Sequence, residues 1–172
     1  MKVYGDNAVV EEYGKPHPNA TDIEGVVIIG YDPATNKWLA LKWTLKNTIW
    51  LAGGGKENQE TYEQTAIREL KEETGYSKFS EIIQLGSPII SHYYNEKKST
   101  YRHSNSMAFL FLLDSKDRGD QKLEEHEKFD ITWLEYNVLR NEITKTGGGV
   151  DHWLAVLSRA QNYVTENIYL KN

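Results

Sequence analysis

The chain has 172 residues, enough for one domain with a real hydrophobic core. It carries 20 Lys and Arg against 25 Asp and Glu, a formal charge of −5, and no cysteine. The acidic balance argues against a nucleic-acid partner held by a bulk basic surface, and the cysteine count excludes disulfides, thiolate metal sites and cysteine nucleophiles. No run approaches the roughly 18 apolar residues of a membrane helix, and Met1 to Tyr13 lacks a signal-peptide pattern, so the expectation is a cytoplasmic protein with no membrane partner.

In chain order, residues 1–20 contain Gly14, Pro16 and Pro18 and predict an irregular arm or short edge strand ahead of a single domain over residues 21–172. Ile23 to Tyr31 is β-branched and nearly continuous, the pattern of a strand buried on both faces. Asp32-Pro33-Ala34-Thr35-Asn36 supplies turn chemistry, and Lys37 to Trp43 follows as a second strand of a hairpin. Trp50-Leu51 leads into Gly53-Gly54-Gly55, which predicts a glycine-rich loop. Thr61 with Gln64 has capping-box spacing, so a helix begins at about Tyr62, and Gly75 stops it. Ile82 to Ile90 and Ser104 to Leu113 predict strands, Asp114 to Lys128 a charged loop, and Ile131 to Leu134 a last strand. Beyond Gly147-Gly148-Gly149, Trp153, Leu154, Leu157, Ala160 and Val164 recur at helical spacing within Val150 to Ile168. Strands interleaved with a central and a terminal helix predict a mixed α/β domain.

The central helix carries the chemistry. Tyr62, Ala66 and Leu70 form one apolar stripe, and Glu69, Glu72 and Glu73 stand beside it at i, i+3 and i+4. Like charges at i, i+4 cost an exposed helix about 0.2–0.5 kcal/mol per pair. At an effective dielectric of about 20, two such charges about 5.5 Å apart repel by roughly 3 kcal/mol. The negative end of the helix dipole adds to this, and Arg68 offsets only part of it. A hard divalent cation with oxygen ligands offsets far more. The alternative is a solvated acidic helix face. The preceding glycines favour the ligand reading, because they let backbone approach a ligand closely.

Gly54, Glu60, Arg68-Glu69-Leu70, Glu72-Glu73, Gly75 and Tyr76 stand at the spacing of the Nudix box, and the chain thereby resembles the Nudix hydrolases, often called MutT-like. Tyr76 is the one departure, at a position that is usually aliphatic. The resemblance implies a Nudix-like α/β/α sandwich with a mixed sheet between helices. It implies hydrolysis of a nucleoside diphosphate linked to another group, by water attack on phosphorus. It places Mg²⁺ or Mn²⁺ on Glu69, Glu72 and Glu73, with the Gly54 carbonyl as a further ligand. Arg68 would orient these acids by pairing with Glu60 or Glu72, and Glu69 could instead serve as general base. Homodimer formation is implied by analogy alone.

Many members carry another catalytic glutamate before the last strand, where Glu125 is the first candidate here and Glu127 the second. Tyr93 and Tyr94 lie 17 and 18 residues past the box, where diadenosine-polyphosphate hydrolases of the family often carry a tyrosine. Ser91 stands where ADP-ribose-cleaving members have a proline, and the marker of NADH-cleaving members is absent. The substrate expectation is therefore a nucleoside triphosphate, a modified nucleotide or a dinucleoside polyphosphate. Lys42, Lys46, Arg102 and His103 are candidates for substrate phosphate contacts, while Trp43, Trp50, Trp133 and Trp153 read as core or rim packing. The alternative function is a nucleotide-binding sensor or regulatory module with the same fold and little catalysis; the intact box acids favour the enzyme. Processing of RNA ends is disfavoured by the acidic balance.

Overall fold

The computed structural model describes residues 1–5, 10–95, 98–123, 129–146 and 150–169. Its first half comprises β1 (Lys2–Tyr4), β2 (Glu11–Tyr13), β3 (Thr21–Asp32), β4 (Lys37–Trp43), β5 (Thr48–Trp50), β6 (Ala52–Gly55) and α1 (Tyr62–Thr74). There follow β7 (Glu81–Leu85), β8 (Ile89–Asn95), β9 (Thr100–Leu112), β10 (Phe129–Leu134), α2 (Tyr136–Thr146), α3 (Asp151–Val164) and a π-helical turn, Thr165–Tyr169.

The centre is β3 beside β9, parallel from Thr21 opposite Arg102 to Tyr31 opposite Leu112. Both strands change partners along their length. The end of β3 pairs with β4 at Tyr31 and Trp38, whereas its Gly25–Ile28 stretch pairs with β6. The end of β9 pairs with β7, and its first half pairs with β8. β4 continues to β10 and β5, while the N-terminal strands β1 and β2 add in parallel to β7 and β8. An ion pair of Glu11 with Arg159 (2.7 Å) and a hydrogen bond between Glu12 and His92 Nε2 (2.7 Å) fasten β2 to the body.

Alternation along β3 divides the core in two. Val27, Ile29 and Tyr31 face one side, where Leu139 and Ile143 of α2 and Val156, Leu157 and Ala160 of α3 cover them. Val26 and Ile28 face the other, where Ala66 and Leu70 of α1 pack. Period two in the strand thus meets period 3.6 in helices on both faces, which makes the expected α/β/α sandwich. Gly30 lets β4 cross closely, since a Cβ there would fall 2.7 Å from the Leu39 Cβ.

Three local expectations are corrected. Gly53–Gly55 is not a loop but strand β6, hydrogen-bonded to β3. The predicted strand Ile82 to Ile90 is two strands, broken at Gly86 (φ 73°), Ser87 and Pro88. The helix α2 is not among the expected elements, because its core-facing signal is short, Tyr136, Leu139 and Ile143 within 11 residues, among Asn, Thr and Val that are weak helix formers. Docking of these residues in the core makes the segment helical.

Candidate active site

Both ends of α1 are closed by their own sequence. Thr61 Oγ1 accepts from the Gln64 amide (3.2 Å) and the Gln64 Oε1 accepts from the Thr61 amide (2.8 Å), a complete capping box. Gly75 at φ 79° donates its amide to the Lys71 carbonyl (2.9 Å) and ends the helix in the left-handed region. Leu70 and Ala66, fully buried, pin the helix to the sheet, and burying Leu70 alone contributes roughly 1.5–3 kcal/mol. Tyr76, also buried, donates its hydroxyl to the Ser115 carbonyl (2.8 Å) and accepts from Trp133 Nε1 (3.1 Å). The unusual aromatic at the end of the box therefore ties the helix exit to β10 and to the loop that follows β9.

This anchoring holds Arg68 against four oxygen-bearing partners. Its Nε and Nη2 donate to the two oxygens of Glu60 (2.8 and 3.1 Å), a bidentate pair. Nη1 donates to both Glu69 (2.8 Å) and Glu72 (3.1 Å), and Nη2 also donates to the Gly55 carbonyl of β6 (3.0 Å). Arg68 thus pairs with Glu60 and with Glu72, and with Glu69 in addition. Its guanidinium holds the Glu60 carboxyl down at about 2, helped by Thr65 and the Glu57 amide, and Glu60 in turn raises the Arg68 pKa further.

Glycines bring the strand up to the acids. A Cβ on Gly54 would fall 2.1 Å from Glu69 Oε1, so only glycine leaves room for that carboxylate. Glu73 accepts from the Gly53 amide (2.8 Å). The three box carboxylates are therefore shared between Arg68 and the strand. Among the described residues no group of three or more His, Asp or Glu surrounds a single metal-sized position.

A cleft of about 1160 Å³ opens beside β6 and is lined by Gly53–Gly55 and Glu73. Glu72 and Arg68 border a separate shallower depression with Lys71 and Lys122. Among the residues expected to contact substrate, Tyr93 and Arg102 both line the cleft and stand directly opposite each other on β8 and β9. Burial raises the Tyr93 pKa. Tyr94 lines the cleft edge, exposed, with its ring edge-on to Tyr101 at 5.0 Å. His103 lines the wall, bonded to Asp22 (2.9 Å) and stacked on His92 at 4.8 Å. Lys46 lines it with its amino group 5.0 Å over the Trp43 ring. Lys42 does not: it is exposed on β4 and absent from the lining, because successive strand residues face opposite ways and its neighbours Leu41 and Trp43 take the cleft side. Glu125 and Glu127 lie outside the described residues.

Two sets of lining residues were not anticipated as a site. Trp43, Trp50 and Trp153 form an edge-to-face series (5.5 and 5.1 Å) along one end of the cleft. Ser91, Ser104 and Ser106 line the other end and are buried. The serines had a signal: Ser104 and Ser106 share one face of a strand just before the run from Met107 to Leu113, so polar residues interrupt a core-facing row. Tryptophans scattered between residues 43 and 153 carry no such spacing.

Comparison with known proteins agrees with this geometry. The NUDIX domain family model matches residues 24–154. Comparison with curated protein sequences gives no significant match. Among solved structures, the chain is similar to the NUDIX domain of Shewanella oneidensis NrtR complexed with ADP ribose (TM-score 0.63, 16% identity, 88% of this chain and 94% of that one). It is also similar to a C. elegans Ap4A hydrolase (TM-score 0.55, 15%, 84% and 98%) and to MutT in a study of the Aliivibrio salmonicida and Vibrio cholerae proteins (TM-score 0.54, 17%, 81% and 99%). At these identities the structures speak for the fold, and the family model speaks for descent: the chain belongs to the Nudix hydrolase family.

Proposed function

We propose that the chain hydrolyses a nucleoside diphosphate linked to a further group, with water attacking phosphorus beside α1. The observation that carries this reading is Arg68 bridging Glu60, Glu69 and Glu72 while bonded to the glycine strand that lines the cleft. The donor set fits a divalent cation: Glu69 and Glu72 already share one cationic nitrogen, and Gly54 leaves the Glu69 carboxylate a cradle that any Cβ would fill. Glu69, Glu72, Glu73 and the Gly54 carbonyl would hold Mg²⁺ or Mn²⁺, hard ions suited to carboxylate and carbonyl oxygens. When bound, the ion supplies charge neutralisation for the diphosphate and a lowered pKa for water.

The chain's own residues do the rest. Arg68 fixes Glu69 and Glu72, and Glu60 fixes Arg68 through two parallel bonds that a lysine cannot make. A Glu69 carboxylate turned toward the cleft would take the proton of the attacking water. Glu125 is a further proposed acid on sequence grounds alone. Glycine backbone along β6 lets phosphate approach without side-chain obstruction. Arg102 and Lys46 supply positive charge in the cleft.

The test is release of phosphate-containing products from a nucleotide panel with Mg²⁺ or Mn²⁺, and its loss on chelation. Glu72→Gln should abolish turnover at unchanged melting temperature; unaltered hydrolysis would remove Glu72 from the mechanism. A second reading is nucleotide binding without efficient turnover. Tight binding with no product from any panel member selects it.

A further inference from the structure

Glu72 and Glu73 belong to the last turn of α1, the turn that a helix cannot close by itself. The carbonyls of Lys71, Glu72, Glu73 and Thr74 have no partner further along the helix. The Gly75 amide takes the Lys71 carbonyl (2.9 Å). The next two are met from outside, by a short segment in the loop that follows β9. The Lys122 amide donates to the Glu72 carbonyl (2.7 Å), and Gln121 Nε2 donates to the Glu73 carbonyl (2.6 Å). Just beyond the helix, the Gly119 amide donates to the Gly75 carbonyl (3.0 Å).

This approach is built into the sequence on both sides. A Cβ on Gly75 would fall 2.3 Å from the Gly119 carbonyl oxygen, so Gly75 both ends the helix and admits the segment. Leu123 packs on the core cluster that contains Ala66 and Leu70. Gln121 Nε2 also donates to the carbonyl of Phe129, the first residue of β10 (3.3 Å). One side-chain amide therefore joins the end of the box helix to the sheet. Gln121 is absent from the cleft lining, whereas Glu73, whose backbone it holds, lines the cleft and accepts from the Gly53 amide of β6 (2.8 Å). A helix end without such partners opens more readily than the rest of the fold, and its side chains move with it.

Resting on the hydrolase reading above, we propose that Gln121 is a positioning residue, which sets the carboxylates of Glu72 and Glu73 by holding the last turn of α1 through the Glu73 carbonyl. The role requires a donor of this reach. Methionine fills the space and donates nothing. Glutamate turns oxygens toward two carbonyls and adds negative charge at the negative end of the helix. Lysine restores a donor and brings a favourable charge to that end.

The experiment compares the full chain with Gln121→Met, Gln121→Glu and Gln121→Lys. It reads kcat and KM with Mg²⁺, calorimetric binding of Mn²⁺ without nucleotide, and amide hydrogen exchange of Gly53 in metal-free protein. Met and Glu should each lower kcat about tenfold with KM changed less than twofold, weaken Mn²⁺ about tenfold and speed Gly53 exchange to a similar degree. Lys should restore all three to within about threefold. Arg159→Met removes the same kind of contact from the carbonyls of Leu85 and Ser87, and should lower the melting temperature without moving these readouts. Gly53 exchange and Mn²⁺ binding that stay at parent values in a folded Met or Glu variant overturn the proposal, as does an equal effect of Arg159→Met. If Met and Glu do not fold, a folded Lys variant with tenfold weaker Mn²⁺ binding overturns it, and one that binds Mn²⁺ as the parent does supports it. A parent that turns over no substrate, with Gly53 exchange and Mn²⁺ binding still dependent on Gln121, supports the positioning role and overturns the hydrolase reading.

Discussion

Replacing Gly54 by alanine isolates the placement of one carboxylate. The residue lies in β6 opposite Val26, and its φ is outside the left-handed region, so alanine fits the backbone. The new Cβ, however, would stand 2.1 Å from Glu69 Oε1 and 2.6 Å from Oε2. Because the obstacle is the end of a flexible side chain, Glu69 retreats while the strand stays, by about 1 Å to reach ordinary contact, and a displacement of that size costs on the order of 10²-fold in rate. The retreat also breaks the 2.8 Å bond to Arg68, a largely buried contact whose arginine keeps its bonds to Glu60 and Glu72, at about 1 kcal/mol. The unfolded chain loses about 0.4–1 kcal/mol of entropy advantage on Gly→Ala, which offsets that loss. The expected outcome is a near-unchanged melting temperature with kcat reduced about a hundredfold, measured by product release across a Mg²⁺ titration. A kcat within threefold of the parent, in a variant that melts normally, would refute the argument that Glu69 must occupy this position.

Gly55→Ala provides the contrast: its Cβ meets nothing nearer than the Glu24 carbonyl at 4.0 Å and projects onto the cleft floor, so KM should rise several-fold with kcat retained, as steady-state kinetics will show. Glu60 has a folded pKa depressed from 4.5 to about 2, so its contribution to stability is complete above about pH 4.5 and is lost as pH falls towards 2. Urea midpoints of the parent and Glu60→Gln should accordingly differ most at neutral pH and converge through that window; a constant difference would contradict the pairing with Arg68. Tyr76→Phe removes the bond to Ser115 and leaves Trp133 Nε1 without its acceptor, at about 1–3 kcal/mol, so calorimetry should show a melting temperature several degrees lower.

The helix of the box was readable residue by residue because each of its determinants is local. Thr61 and Gln64 cap it, Gly75 stops it, and spacing alone puts Glu69, Glu72 and Glu73 beside the stripe of Ala66 and Leu70. The helix α2 shows the opposite case: Tyr136, Leu139 and Ile143 alone hold too little local information, and the core decides. That Lys42 lies outside the cleft lining was not legible, because lysine near a strand end has no preference that reveals which face the register turns to the cleft.

By itself the sequence determined the box helix and the identity of its acids, since short-range spacing and capping encode them, and through the resemblance that the box carries it pointed to the family and its sandwich fold. Only the tertiary structure decided that the triple glycine is a strand, that one arginine binds three carboxylates at once, and that tryptophans from β4, β5 and α3 meet across a sheet from three buried serines. Those arrangements depend on strand register and on elements far apart in the chain, and periodicity carries no record of which distant residues will share a face.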